Sequence, residues 1–178
     1  SVMWANNETG VIFPIEEIAE MVKSRGAIFH CDAVQAVGKI PIDVKQVNID
    51  LMSISGHKLH APKGIGVLYI RKGTYFVPLL MGGHQEQGRR GGTENVPYIV
   101  GLGKAAELAR DNMEAEQKRV KALRDRLENE LLEKALDSSV NGDRTHRLPN
   151  TTSISFKYIE GEGILLLLSA EGIAAASG

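Results

Sequence analysis

Residues 53–58 have the sequence Ser-Ile-Ser-Gly-His-Lys and continue an apolar run that begins at Ile49. The run predicts a buried strand, and the small residues after it predict that the strand stops and presents Lys58 at its carboxyl end. In open α/β sheets, ligands bind at this edge. A lysine in a dry pocket there loses its proton more readily and can bond covalently to a carbonyl carbon. A solvated loop lysine is the alternative, and other strand ends must decide between the two.

Two more strand-like runs end in polar residues. Residues 1–5 lead into the amide-rich loop 6–10, and residues 27–31 lead into Asp32, with Gln35 three positions later. The three ends together offer amides, an acid and a lysine, which is typical of a pyridoxal phosphate (PLP) site. There the lysine holds the aldehyde, and the acid pairs with the protonated pyridine nitrogen, which makes the ring a better electron sink. The alternatives are a simple turn for the amides and a helix cap for the acid.

Four motifs occur in order along the chain. They are Ala-Asn-Asn-Glu-Thr-Gly at 5–10, His-Cys-Asp-Ala-Val-Gln-Ala-Val-Gly-Lys at 30–39, Ser-Gly-His-Lys at 55–58 and Gly-Arg-Arg-Gly-Gly-Thr-Glu-Asn at 88–95. With this spacing the sequence resembles the cysteine desulfurases of the nitrogen-fixation type, which are PLP enzymes of the class V aminotransferase superfamily. The resemblance runs essentially from end to end.

For the residues around the cofactor ring, the resemblance implies specific roles. Lys58 would hold PLP covalently and then act as general base at the substrate's α-carbon, and His57 would help to shuttle protons. Asp32 would keep the ring nitrogen protonated, and Gln35 would bond the phenolic oxygen. Asn7 would contact both the cofactor and the substrate.

The cofactor's phosphate has its own expected set of residues. The resemblance implies that Ser55 and His57 bind it, and a hydroxyl and an imidazole N–H are suitable donors. It also implies that Thr93 reaches across a homodimer interface to the phosphate of the partner subunit. Taken alone, the glycine- and arginine-rich segment 82–93 could be a flexible basic loop, a nucleic-acid contact or an anion site, and its short length and the net charge near zero argue against nucleic acid. No metal site is expected.

The reaction implied by the resemblance converts L-cysteine to L-alanine and passes the sulfur, as a protein persulfide, to an iron–sulfur cluster scaffold protein. Cys31 is the only cysteine. Adjacent strand residues face opposite ways, so if Asp32 faces the cofactor, Cys31 faces away and packs in the core. Because the sequence begins and stops inside apolar runs, we expect a fragment that is inactive alone. The nucleophilic cysteine would lie just beyond Gly178, and a histidine that stacks on the cofactor ring would precede Ser1.

Two other functions stay open from the sequence. Another class V enzyme, such as an aminotransferase or a selenocysteine lyase, would share Asp32 and Lys58. A catalytically dead scaffold of the same fold would be a protein of a different class. A cysteine in a small-residue loop beyond the chain would favour desulfuration, and a folded full-length protein without PLP would favour the scaffold.

Composition excludes several classes of protein. The 178 residues carry a net charge of −1, which gives no electrostatic case for binding nucleic acid or an anionic membrane. The longest purely apolar run, residues 164–168, is far too short to span a bilayer. A single cysteine excludes an internal disulfide and fits a reducing compartment, so we expect a cytoplasmic protein.

The fold class that follows is α/β. The resemblance implies a PLP-dependent transferase of fold type I, with a mixed, mostly parallel sheet, the second part of the large domain at 1–110 and an incomplete α+β small domain at 111–178. The pattern predicts a mixed sheet, because the strands at 49–54 and 66–70 follow each other without a helix between them, which suggests an antiparallel hairpin. A long helix over 96–134 is expected to bridge the domains. Within the small domain we expect strands at 151–158 and 173–176 and a helix at 162–170.

Overall fold

A computed structural model describes residues 1–177. The elements are, in chain order, β1 (Val2–Met3), α1 (Ile15–Ser24), β2 (His30–Asp32), β3 (Leu51–Ser55), a 3₁₀ helix (Gly56–Leu59), β4 (Gly66–Ile70), α2 (Gln85–Gly88), α3 (Val96–Lys134), β5 (Ser138–Val140), β6 (Ile154–Phe156) and α4 (Gly161–Ala170).

The first four strands form one sheet in the order β1-β2-β3-β4. β1, β2 and β3 are parallel to one another, whereas β4 runs antiparallel to β3. The mixed, mostly parallel sheet expected from the sequence is therefore confirmed, and so is the antiparallel pairing of residues 66–70. Since the first three strands share one direction, their carboxyl ends meet at a single edge of the sheet.

The core beneath this sheet is apolar and is closed on one side by α1. Phe29, Cys31 and Ile49 are almost completely inaccessible to solvent. Ile15 and Ala19 of α1 pack into the same cluster. The helix can do this because its apolar residues recur at three- and four-residue steps, which places them on one face.

A close approach of two backbones fixes the turn from β3 into the 3₁₀ helix. The Gly56 N–H donates to the carbonyl oxygen of Ile65 at 2.9 Å. A Cβ on Gly56 would lie 2.9 Å from that same oxygen and 2.7 Å from Cγ2 of Ile65. Glycine is required here because any side chain would push β3 away from the strand that follows it.

The long helix α3 has the bounds expected from the sequence, and its first half packs against the 3₁₀ helix. Leu102 and Ala105 of α3 contact Leu59 and Ala61 in a second small cluster of buried apolar residues. The helix continues without a break through residue 110. The domain boundary expected there stays a prediction.

The second half of α3 buries an unexpected face. Leu123 and Leu127, spaced four residues apart, are both 54% exposed. Arg124 and Glu128, one position later, are buried instead. The helix thus turns a charged face toward residues 144–152, and these contacts could not be read from the apolar spacing.

The last third of the chain confirms one helix and corrects one strand. Helix α4 ends at Ala170 and is capped by Gly172, whose N–H donates to Ser169 O at 3.0 Å while the Ile173 N–H donates to Leu168 O at 2.9 Å, a Schellman motif. The strand expected at 173–176 was wrong, because these residues pair with no strand among residues 1–177 and a strand needs such a partner. The strand expected at 151–158 is shorter and pairs with β5, which the sequence did not predict.

No helix within residues 1–177 combines the length and apolarity needed to cross a bilayer.

Candidate active site

Strand pairing brings the expected acid next to the strand that carries the expected lysine. Asp32 is the last residue of β2, and its register partner in β3 is Ser53. On the other side, Asp32 pairs with Met3 of β1. β3 continues for two residues and then enters the 3₁₀ helix that contains Lys58. The polar residues that follow the strands are therefore collected at one edge of the sheet.

The turn after β2 fixes the carboxylate of Asp32. Its Oδ1 accepts the N–H of Val34 at 3.0 Å, and the N–H of Ala33 donates to Ser53 O at 3.0 Å. Gln35 lies on the same turn, where its side-chain oxygen accepts a hydrogen bond from Lys39 at 2.9 Å. The amide nitrogen of Gln35 remains free of that bond and is available as a donor.

Ser55 and His57 meet directly at the start of the 3₁₀ helix. The Ser55 hydroxyl and the His57 Nδ1 lie 2.8 Å apart and share a hydrogen bond. Lys58 is the next residue, and both it and His57 are exposed. Within residues 1–177 the 3₁₀ helix leaves Lys58 exposed, and a dry pocket around it stays a prediction.

A cavity of about 470 Å³ lies between the 3₁₀ helix and α3, and Lys58 is one of its lining residues. Lys39 and His60 also line it, together with apolar residues of α3 such as Leu108. Burial lowers the pKa of Lys39, and the positive charge of Lys58 lowers it further. Glu116 of α3 also lines the cavity, so its wall carries one acidic side chain beside the two lysines.

Asn7 lies on a loop that its neighbour organises. The Asn6 side-chain oxygen accepts the N–H groups of Glu8 at 2.9 Å and Thr9 at 2.8 Å, and also the Thr9 hydroxyl at 3.0 Å. Gly10 closes the loop with φ +74°, a conformation that suits glycine. Asn7 itself is exposed at the tip. The first asparagine of the pair thus shapes the turn, and the second is available for other contacts.

Thr93 is not part of the sheet edge. It is an exposed residue between α2 and α3. The segment before it has an irregular backbone, in which Glu86 and Gln87 have positive φ values of 49° and 58°. The structure of one chain does not bring Thr93 together with Asp32 or Lys58 by strand pairing, which is compatible with the expected contact to a second subunit.

The sequence did not single out a hydrogen-bonded chain beside Asp32. The ring of His30 is bonded on one side to the Ser1 hydroxyl at 2.7 Å and on the other to the Ser53 hydroxyl at 2.8 Å. His30 is two positions before Asp32 in β2, so both face the same side of the sheet. The alternation of these two polar residues in an otherwise apolar strand was the signal that could have identified His30.

Cys31 faces the other side and packs in the core, as the sequence predicted. It is fully buried, and burial together with the nearby charge of Asp32 raises the pKa of its thiol to about 12. A thiol in this state is protonated at neutral pH and is a poor nucleophile.

The donors at the sheet edge fit PLP. Asp32 would provide a carboxylate for the ring nitrogen, and Lys58 would provide an exposed amine for the aldehyde. Ser55 and His57, already in contact, would provide a hydroxyl and an imidazole for the phosphate. These groups lie on the ends of two adjacent parallel strands, so one small phosphorylated ring would be within their common reach.

Known proteins with similar sequences are cysteine desulfurases. The cysteine desulfurase of Nostoc sp. is 66% identical over 178 residues, and the cysteine desulfurase NifS of Azotobacter vinelandii is 62% identical over the same length. Both matches cover 100% of this chain and 44% of the relative, so the chain spans less than half of their length. A solved structure named NifS-like protein matches with a TM-score of 0.92 and 42% identity, covering 99% of this chain and 48% of that one.

Enzymes of these families depend on PLP, in agreement with the donor set at the sheet edge. A family model described as aminotransferase class-V matches residues 1–178, and the chain therefore belongs to the class-V aminotransferase family.

Proposed function

We propose that the protein containing this chain is a PLP-dependent cysteine desulfurase. It would convert L-cysteine to L-alanine and pass the sulfur, as a protein persulfide, to a scaffold protein for iron–sulfur cluster assembly. The observation that carries the proposal is the register of Asp32 with Ser53, which sets the acid beside the strand that leads into Lys58. The similarity to cysteine desulfurases supports the choice of reaction within the family.

In this proposal the residues of the chain bind the cofactor and move protons. PLP, when bound, would supply an electron sink for the substrate's α-carbon. Asp32, steadied by the Val34 N–H, would hold a proton on the ring nitrogen. Lys58 would remove the proton from the α-carbon, and His57 would assist in proton transfer.

Three further residues would position the ring and the substrate. Ser55 would bind the phosphate together with His57. The free amide nitrogen of Gln35 would donate to the phenolic oxygen, and Asn7 at its exposed loop tip would contact the cofactor and the substrate. All three assignments follow from the motifs that resemble the family and from groups that this fold leaves available.

The sulfur step needs a group from outside these residues, because the single cysteine of the chain is buried with a protonated thiol. A thiolate elsewhere in the protein would attack the substrate's sulfur. The bond between the substrate's carbon and its sulfur would break, and the electron pair would stay on the carbon. A bond would form between the thiolate sulfur and the substrate's sulfur. Protonation of the carbon would then lead to alanine.

The remaining expectations belong to the same proposal. Thr93 would reach the phosphate of the partner subunit in a homodimer, and its exposure leaves it free to do so. Residues 1–110 would be part of the PLP-binding large domain, and residues 111–178 part of the small domain. A role in nitrogen fixation and a cytoplasmic location are suggested by the NifS relative and by the reduced, buried Cys31.

The other class V enzymes and the inactive scaffold are less well supported. An aminotransferase or a selenocysteine lyase would keep Asp32 and Lys58, but the curated relatives favour desulfuration. A scaffold would have no need of the intact pair of Ser55 and His57 beside an exposed lysine.

Borohydride reduction of the purified full-length protein tests the cofactor and its anchor. Reduction makes a lysine–PLP bond permanent, so we expect intact mass spectrometry to show an increment the size of PLP. Lys58→Ala should abolish the increment. Lys63→Ala, which removes an exposed lysine five residues away, should keep it. If folded wild-type protein stays unmodified after incubation with PLP, the proposed enzymatic function is contradicted and the catalytically inactive scaffold is favoured.

A further inference from the structure

The loop that carries Asn7 is held by a segment far along the chain. The Ile12 N–H donates to His146 O at 2.9 Å, and the Leu148 N–H donates to Gly10 O at 2.8 Å. Val11 and Arg147 lie opposite each other in an isolated antiparallel bridge. The end of the loop, residues 10–12, is therefore held in place by backbone hydrogen bonds to residues 146–148.

Behind this segment lies a buried cluster of charges centred on Glu128 of α3. One Glu128 carboxylate oxygen lies 2.7 Å from Arg147 Nη2, and the Thr152 hydroxyl donates to the same oxygen. The other carboxylate oxygen accepts from Arg144, with Nη2 at 3.0 Å. The side chains of Glu128 and Arg147 are only 3% and 2% exposed, whereas that of Arg144 is 56% exposed.

A buried cluster of charges contributes little net stability to a fold. Two buried charges lose most of their hydration, and their attraction repays this loss only when the geometry is good and every other hydrogen-bonding site is filled. Here both carboxylate oxygens of Glu128 are engaged, but Nε of Arg147 is buried without a hydrogen-bond partner among residues 1–177. What the arrangement does achieve is a fixed position for Arg147, whose backbone pairs with the loop.

Packing makes the connection tight. A Cβ on Gly10 would lie 2.7 Å from Thr151 Cβ and 3.1 Å from Arg147 Cγ. On the other side of the loop, a Cβ on Gly142 would lie 2.7 Å from Val11 Cγ2. A shift of the segment 142–152 would therefore displace the loop, because neither contact leaves space for independent movement.

We propose that Glu128 is a positioning residue of the active site, which fixes the Asn7 loop through Arg147 and Thr152. It touches neither the cofactor nor the substrate. Its effect is on the affinity for PLP, because Asn7 can contact the cofactor only if the loop keeps its place. This inference rests on the role of Asn7 in the proposed function.

The test uses the full-length protein with Glu128→Gln, and Glu130→Gln as the control. Glu130 lies on the same helix, pairs with Arg126 at 2.7 Å and with Lys134 at 3.4 Å, and is 44% exposed, so its substitution removes two surface ion pairs without disturbing the loop. We expect Glu128→Gln to weaken the equilibrium binding of PLP to the apoprotein by about tenfold, a usual size for coupling between two sites. Hydrogen exchange of the Ile12 and Leu148 amides should also become faster. Glu130→Gln should change neither.

A second pair of variants covers the case in which Glu128→Gln does not fold. Thr152→Val removes only the hydroxyl that donates to Glu128, and Thr152→Ser keeps it. We expect Thr152→Val to weaken PLP binding. Thr152→Ser should bind PLP with the affinity of the wild type. Faster exchange at Ile12 with unchanged PLP affinity would show that the cluster is merely structural and would overturn the inference. Failure of the wild-type protein to bind PLP would reject the proposed function instead, while the exchange data would still report on the link to the loop.

Discussion

At the scale of single residues, the neighbours Cys31 and Asp32 divide the two faces of β2. Asp32 ends its strand at the polar sheet edge, and Cys31 is completely enclosed in the core. The thiol is held protonated by burial and by the Asp32 charge, which together raise its pKa to about 12. A residue that looks like a sulfur carrier by its chemistry is thus removed from the reaction by its position.

We predict that Cys31 resists alkylation in the native protein. A rise of the thiol pKa from 9.0 to about 12 lowers the thiolate fraction roughly a thousandfold, before any effect of access. Iodoacetamide at pH 8 followed by mass spectrometry of the peptide that contains Cys31 would measure this. The same peptide should be fully modified in urea. Rapid native labelling would contradict the buried, protonated state.

The sequence was informative about single residues wherever a strand stopped. The end of an apolar run identified Asp32 and Lys58, since burial makes such runs visible. It could not show that His30 would bond to Ser1 and Ser53. Those contacts depend on which strands become neighbours, and this is a property of the fold.

At the scale of elements, Asp50 links α1 to the sheet. It directly precedes β3, and its side chain contacts α1 and the residue that precedes β2. Its carboxylate lies 2.8 Å from Lys23 Nζ of α1 and accepts the Phe29 N–H at 2.7 Å. Burial by itself would raise the pKa of Asp50, but the hydrogen bonds from Lys23 and Phe29 and the charges of Lys23 and Arg71 outweigh it and lower the pKa. The group therefore stabilises the fold in its ionised form.

We predict that Asp50→Asn lowers the free energy of unfolding by about 1.5–3 kcal/mol at pH 7, the usual value of hydrogen bonds to a charged group. Because the folded pKa is depressed, the contribution is complete above the ordinary carboxyl pKa and is lost as the pH falls through the lower folded value. Urea unfolding should thus show a difference between Asp50→Asn and wild type that is large at pH 7 and shrinks below about pH 4. Glu107→Gln, which breaks an exposed pair with Lys104, is the control and should have little effect at either pH. A difference that is independent of pH would contradict the assignment.

α3 shows what local pattern can and cannot establish about an element. Pro97 near its start and leucines at four-residue steps were enough to predict its bounds. The buried face was missed, because Leu123 and Leu127 are half exposed while Glu128 is enclosed by Arg147 and its neighbours. Burial of a charged face is decided by its partners, and the partners of Glu128 lie 16 to 24 residues further on.

At the scale of the whole molecule, a loop near the start of the chain packs against a segment far along it. Residues 6–12 contact residues 142–151, although more than 130 positions separate them. No periodicity or motif signals such a contact, and the sequence therefore predicted the sheet edge but not the segment that supports it. The two segments approach most closely at Gly10 and Gly142, whose φ values are +74° and +79°. Glycine suits both positions because it tolerates a positive φ and has no side chain to separate the segments.

A matched pair of glycine substitutions would measure how much this contact contributes. Gly10→Ala introduces both backbone strain and a clash, since its Cβ would lie 2.7 Å from Thr151 Cβ. Gly26→Ala introduces the strain alone, because Gly26 has a similar φ of +67° and no atom within 4 Å of the added Cβ. The strain should cost about 1–2 kcal/mol in each, and the clash in Gly10→Ala should add about 1–3 kcal/mol. We therefore predict that urea unfolding of the full-length protein shows a clearly larger loss for Gly10→Ala. Equal losses would mean that the loop can move away from Thr151 without penalty, and that residues 6–12 contact residues 142–151 without the two segments stabilising each other.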